Sequence, residues 1–128
     1  MILPSPDAIA PDGSEIYYRV LDAKNASVVE VALAAGRTTR AVRHRTVEEI
    51  WYVLAGAGEV WLRAPDQAGS NTRSVVSGDT VVIPTGWDFQ FRATGDRPLR
   101  FLCFTSPPWP GEHEAIPVDD GGLGEPTV

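Results

Sequence analysis

The chain has 128 residues, with 11 Lys+Arg against 17 Asp+Glu and a formal net charge of -6. That length suits one compact domain with a real core, and the negative charge disfavours attraction to nucleic acid or anionic membranes. The single cysteine, Cys103, excludes an intrachain disulfide, and no apolar run reaches the ~18 residues that a membrane span needs. The start, Met-Ile-Leu-Pro-Ser-Pro-Asp, carries neither a basic n-region nor a long apolar h-region, so the expected address is cytoplasmic.

Residues 1–13 contain Pro4, Pro6, Pro11 and a Pro-Asp-Gly turn signal, and read as an extended lead-in whose Ile2, Leu3 and Ile9 are available to dock. β-Branched and aromatic residues predict strands over 15–21 and 27–35, joined by Asp-Ala-Lys-Asn-Ala. The stretch from Gly36 to Gly56 places His44 five residues before Glu49, which opens an apolar strand. On that strand Trp51 and Val53 share a face with Glu49, while Ile50, Tyr52 and Leu54 share the other, so both faces are expected to be buried.

Gly56-Ala57-Gly58 predicts a short loop, with 59–63 returning as the second strand of a hairpin. A polar loop over 64–71 precedes strands at 72–76 and 80–83, and Ile83-Pro84-Thr85-Gly86 fits a type I turn. Trp87, Phe89 and Phe91 alternate with Asp88, Gln90 and Arg92, predicting a strand with one aromatic buried face and one polar exposed face. The last strong strand is expected over 99–105. The glycine-rich, proline-rich and acidic tail beyond Gly111 is expected to be loose. With about eight to ten short strands and no helix, the pattern indicates an all-β sandwich or barrel.

These residues resemble the cupin superfamily over roughly 36–108. Gly36, His44, Glu49 and Gly56 fall in register with its first motif, and Gly78, Pro84 and Gly86 with its second. The resemblance implies a cupin-type double-stranded β-helix, a jelly-roll barrel of mainly antiparallel strands. The implied layout is one domain: a lead-in over 1–13, the barrel over 14–110 and a loose segment over 111–128. In the family three histidines and a glutamate hold a divalent metal. Here Val42, Phe89 and Ala93 occupy the first histidine, third histidine and asparagine positions, leaving His44 and Glu49 as the only ligands should a metal bind. No cofactor is therefore expected, although a divalent metal ion stays open, since catalytic metals need at least three protein ligands.

Three replacement donors come into question. Strand alternation points Gln90 away from the Phe89 slot, Cys103 reads as a small core residue, and His113 reads as solvated. If His44 faces inward so does Val42, and with Trp51, Phe89, Phe91 and Cys103 the pocket becomes apolar and aromatic, suited to a small apolar or aromatic molecule. Arg43 and Arg45 then lie on the opposite face, as solvated charge or surface ion pairs.

The leading functional expectation is acid/base chemistry by His44 and Glu49, of isomerase, epimerase, cyclase or dehydratase type. A noncatalytic binding module and a metal-dependent oxygenase with an unusual ligand set are the alternatives. The strand that is apolar on both faces also implies cover from outside, expected from a homodimer.

Overall fold

The computed structural model describes residues 5–128. Its strands are β1 (Ala8–Ile9), β2 (Glu15–Val20), β3 (Ser27–Leu33), β4 (Val42–His44), β5 (Glu48–Ala55), β6 (Ala57–Arg63), β7 (Asn71–Val76), β8 (Thr80–Ile83), β9 (Asp88–Ala93), β10 (Leu99–Ser106) and β11 (Ala115–Pro117). One 3-10 turn, Glu112–Glu114, is the only helical element among the described residues, and no helix there is long and apolar enough to cross a membrane. Two sheets form, in the orders β1-β2-β3-β10-β5-β8 and β11-β4-β9-β6-β7, with every pairing antiparallel. This is the all-β arrangement expected from the spacing of strands and turns, in the jelly-roll form that the cupin resemblance implies.

The core lies between the sheets and is centred on Trp51. Its ring stacks on Phe101 with centroids 4.1 Å apart and meets Phe91 edge-on at 5.0 Å, and all three side chains are fully buried. Alternation supplies the rest: Val53 from β5, Val81 and Ile83 from β8, and Phe89 from β9 point into the same space. Offset and edge-on aromatic contacts of this kind add about 0.5–1.5 kcal/mol per pair beyond the area they bury.

Several sequence expectations need correction. The expected hairpin between β5 and β6 does not form: β5 pairs with β10 and β8, whereas β6 pairs with β7 and β9. Gly56, at φ 82°, is instead the corner where the chain changes sheets, and an added Cβ there would lie 2.3 Å from the Pro98 carbonyl oxygen. The turn after β8 is shifted by one residue. Trp87 N–H donates to the Pro84 carbonyl at 3.2 Å, placing Gly86 (φ 82°) third in a type II turn, where a positive φ is required. Trp87 precedes β9 rather than belonging to it.

The outer face of β5 is open, with Ile50 46 % and Tyr52 45 % exposed, because no other element among the described residues crosses it. The opposite error occurs on β9, where the polar face is covered. Gln90 is 1 % exposed: its amide donates to the carbonyls of Thr39 and Gly124, and its oxygen accepts from Leu123 N–H at 2.8 Å. The tail expected to be loose supplies that cover. Thr127 N–H donates to the Thr38 carbonyl at 2.9 Å, and Val128 packs against the core. Glycine makes the close approach possible, since a Cβ on Gly122 would sit 2.2 Å from the Trp61 ring. Of the lead-in, Ile9 is 60 % exposed, and Ile2 and Leu3 lie outside the described residues.

Candidate functional site

Four strands, β4, β5, β9 and β10, aim the candidate residues at one space. On β4, Val42 and His44 point inward, and Val42 is paired with Phe89 of β9. The backbone of His44 is fixed from two sides: Gly86 N–H donates to its carbonyl at 3.1 Å, and Ala115 of β11 pairs with it in register. On β5, Glu49 and Trp51 face inward opposite Thr105 and Cys103 of β10. Val42, His44, Glu49, Trp51, Phe89, Phe91 and Cys103 consequently all line a single cavity of about 470 Å3. Its walls are mainly aliphatic and aromatic, with Asp12, Ser14, Ser27, His44, Glu49, Thr105 and Glu112 as polar groups among them.

Of these, His44 and Glu49 are poorly solvated. His44 Nδ1 lies 3.7 Å from Glu49 Oε2, too far for a hydrogen bond, and this buried nitrogen has no hydrogen-bond partner. Phe89 and Trp109 flank the imidazole edge-on at 5.1 and 5.2 Å. Burial lowers the His44 pKa from 6.5 to about 4, against a weaker opposing pull from the Glu114 charge. Burial likewise raises Glu49 from 4.5 to about 7; hydrogen bonds from Trp51 and Cys103 oppose the rise, while the charges of Asp12 and Glu114 add to it. One of those bonds is Trp51 Nε1–H to Glu49 Oε1 at 2.9 Å. Burial, and then the Glu49 charge, push the Cys103 thiol well up. Near neutral pH the site holds a neutral imidazole, a carboxyl that readily exchanges its proton, and a thiol.

The donor set does not fit a family-type metal centre. Two of the positions that would carry histidine present the apolar Val42 and Phe89, both packed in the core. No group of three or more His, Cys, Asp or Glu side chains placed to hold an ion occurs among the described residues. The substitute donors do not complete a set: Gln90 is committed to the tail on the far face, and His113 is exposed with its carbonyl accepting from Arg45 Nε–H. Cys103 does face the cavity.

Sequence reasoning missed three contributors. Asp12 lines the cavity from the lead-in, buried and accepting from the N–H and hydroxyl of Ser14; burial raises its pKa against those bonds and Arg40. The Pro-Asp-Gly signal marked the turn but not its inward carboxylate. Trp109, between Pro108 and Pro110, folds back over His44. Glu114 accepts from the N–H groups of Thr46 and Val47 and from the Thr46 hydroxyl, anchoring the loop between His44 and Glu49. Burial works against its charge, but those donors outweigh burial and hold its pKa below the ordinary value. Arg43, expected to be solvated or paired at the surface, bonds the buried Asp88 at 2.8 Å, and Arg63 joins the same carboxylate.

Comparison with known proteins agrees with this architecture. Residues 29–105 match the family model of the cupin domain. Over 90 residues the chain is 32% identical to the uncharacterized protein MJ1618 of Methanocaldococcus jannaschii, covering 70% of this chain and 67% of that one. The fold is similar to the capsular polysaccharide assembling protein CapF of Staphylococcus aureus, with TM-score 0.75 and 15% identity over 84% of this chain. It is also similar to Bacillus subtilis oxalate decarboxylase, a protein with Mn(II) centers, with TM-score 0.74 and 18% identity over 90% of this chain. The chain spans only 30% of the length of each of those two structures. It belongs to the cupin family.

Proposed function

From the premise of a cupin barrel with this cavity, we propose that the protein is a small-molecule enzyme working by metal-independent acid and base chemistry, of isomerase, epimerase, cyclase or dehydratase type. The observation that carries the reading is the unpartnered His44 Nδ1, 3.7 Å from the Glu49 carboxyl in the wall of a mainly apolar cavity. A buried pair whose environments push the two groups in opposite directions assigns roles as well as places. Glu49, near 7, is matched to neutral pH and is the main proton carrier, donating in its acid form and accepting once ionised. In the tautomer with its proton on Nε2, neutral His44 offers the Nδ1 lone pair to a substrate hydroxyl or enol, accepting its hydrogen bond and orienting it toward Glu49. Trp51 holds the carboxyl in place by its indole N–H.

The test begins with native mass spectrometry, to identify a small molecule carried through purification, followed by turnover of that compound or its congeners. Removing a general acid or base costs typically 10²–10⁴-fold, so Glu49→Gln should lower kcat by about that factor with KM little changed, and His44→Ala should do likewise. Unchanged turnover in both variants would overturn the proposal. For a metal-dependent oxygenase, Val42 and Phe89 supply no donors, so the geometry does not favour that reading.

We also propose that the protein is a homodimer. Ile50 faces Phe104 and Val82 in register on the outside of the six-stranded sheet, giving an exposed apolar row across three neighbouring strands, which matching rows on two chains would cover.

A further inference from the structure

We propose that the cavity selects an uncharged, ring-sized molecule bearing a hydroxyl at one edge and rejects carboxylates and phosphates, because its wall places an unpartnered His44 Nδ1 among aromatic side chains and contains no Lys or Arg. This rests on the cavity being a ligand site, as proposed above, but not on any chemistry performed there.

The charged groups around the space are one-sided. Asp12, Glu49 and Glu112 line it, whereas the arginines nearest in sequence to His44 are turned to other partners: Arg43 to Asp88, Arg45 to the His113 carbonyl and Arg40 to the Pro11 carbonyl. An anionic ligand would leave water to meet carboxyl groups in a wall without Lys or Arg, the charge of Arg40 outside it already acting on Asp12, and an unpaired buried charge is strongly disfavoured.

A cation finds little better accommodation. Glu49 Oε1 already accepts from Trp51, and Asp12 Oδ1 accepts twice from Ser14, so one oxygen of each carboxyl is committed inside the protein. What the site lacks is a donor for His44 Nδ1. A neutral hydroxyl supplies that bond without carrying charge into a mainly apolar space, and Phe89, Phe91 and Trp109 in the same wall offer aromatic surface to the ring that bears it.

Three probes of one shape and different charge test this: benzyl alcohol, benzoate and benzylammonium, each titrated into the full chain near pH 6 by calorimetry. Benzyl alcohol should bind at least about tenfold more tightly than either ion, since desolvating an ion without a partner costs more than the ~1.4 kcal/mol that a factor of ten represents. His44→Ala, checked for native circular dichroism, should weaken the alcohol about fivefold or more by removing the acceptor. Benzoate binding as tightly as the alcohol, or benzylammonium binding tightest, would overturn the charge selection while leaving a ligand site standing. Binding of none of the three at millimolar concentration would overturn both, and the wild-type series decides even if the variant fails to fold.

Discussion

Replacing Glu49 by Gln separates two titrations that cancel in the native protein. His44 titrates at about 4 in the folded chain against 6.5 ordinarily, so the unfolded state binds more protons between those values. Stability from this group is complete above about pH 6.5 and is lost as pH falls to about 4, a change of about 3 kcal/mol. Glu49 titrates at about 7 against 4.5, so here the folded state binds more protons. Its contribution is complete below about pH 4.5 and is lost as pH rises through about 7, again by about 3 kcal/mol. The two slopes oppose each other over nearly the same window, and the wild type should show little net pH dependence from the pair. Glu49 is not among the groups that shift His44, which are burial and Glu114, so Glu49→Gln removes one slope and leaves the other. Urea unfolding of Glu49→Gln relative to wild type should show stability gaining about 3 kcal/mol from about pH 4.5 to 7, whereas His44→Gln should lose about as much from about pH 4 to 6.5. Variant curves that run parallel to the wild type at every pH would refute the assignment of a neutral imidazole beside a protonated carboxyl.

Four further outcomes are expected. Glu114→Ala strands the N–H groups of Thr46 and Val47 and should cost about 2–3 kcal/mol in urea unfolding, against no change if the loop holds itself. Removing residues 120–128 uncovers Gln90 and Trp61 and should lower the thermal midpoint and shift tryptophan emission to the red; a truncated chain as stable as the full one would show that the tail contributes nothing. Trp51→Ala deletes the centre of the aromatic cluster and should cost about 3–5 kcal/mol, read by the same denaturation. Light scattering should report a dimer, and Tyr52→Glu, placed on the open sheet face, should shift it to monomer; a monomeric wild type at high concentration would refute the outer face as an interface.

Most of the barrel was readable because its signals are local. Gly36, Gly56, Gly78 and Gly86 all adopt positive φ, and strand alternation carries Val42 with His44 and Glu49 with Trp51 onto inward faces. What failed was anything set by partners distant in sequence. The polar residues Asp88 and Gln90 look like a solvent face, yet Arg43 and Arg63 close over Asp88, and Thr39 with the tail residues Leu123 and Gly124 closes over Gln90. The tail itself reads as loose because glycine and proline signal poor burial, whereas here Gly121 and Gly122 are what let the backbone lie flat on Gln90 and Trp61. Ile50 and Tyr52 err the other way, since apolar composition predicts cover without saying which chain provides it. Within the site, Glu114 and Trp109 could not be placed from sequence, because each reaches His44 or its loop across more than sixty residues.

The order of strands in the larger sheet also bears on how the chain can be made. Its middle is β3, β10 and β5, so Val31 waits for Phe101 and Trp51 waits for Cys103 before either is paired on that side. A ribosome releasing the chain from its N-terminus exposes the apolar strands 27–33 and 48–55 long before residues 99–106 emerge to lie between them. Pairings so remote in sequence must close large loops before they gain any contact, which slows folding. During synthesis the vulnerable interval thus ends only when β10 arrives, and a ribosome pausing between residues 60 and 98 would prolong the exposure of unpaired strand edges to other nascent chains.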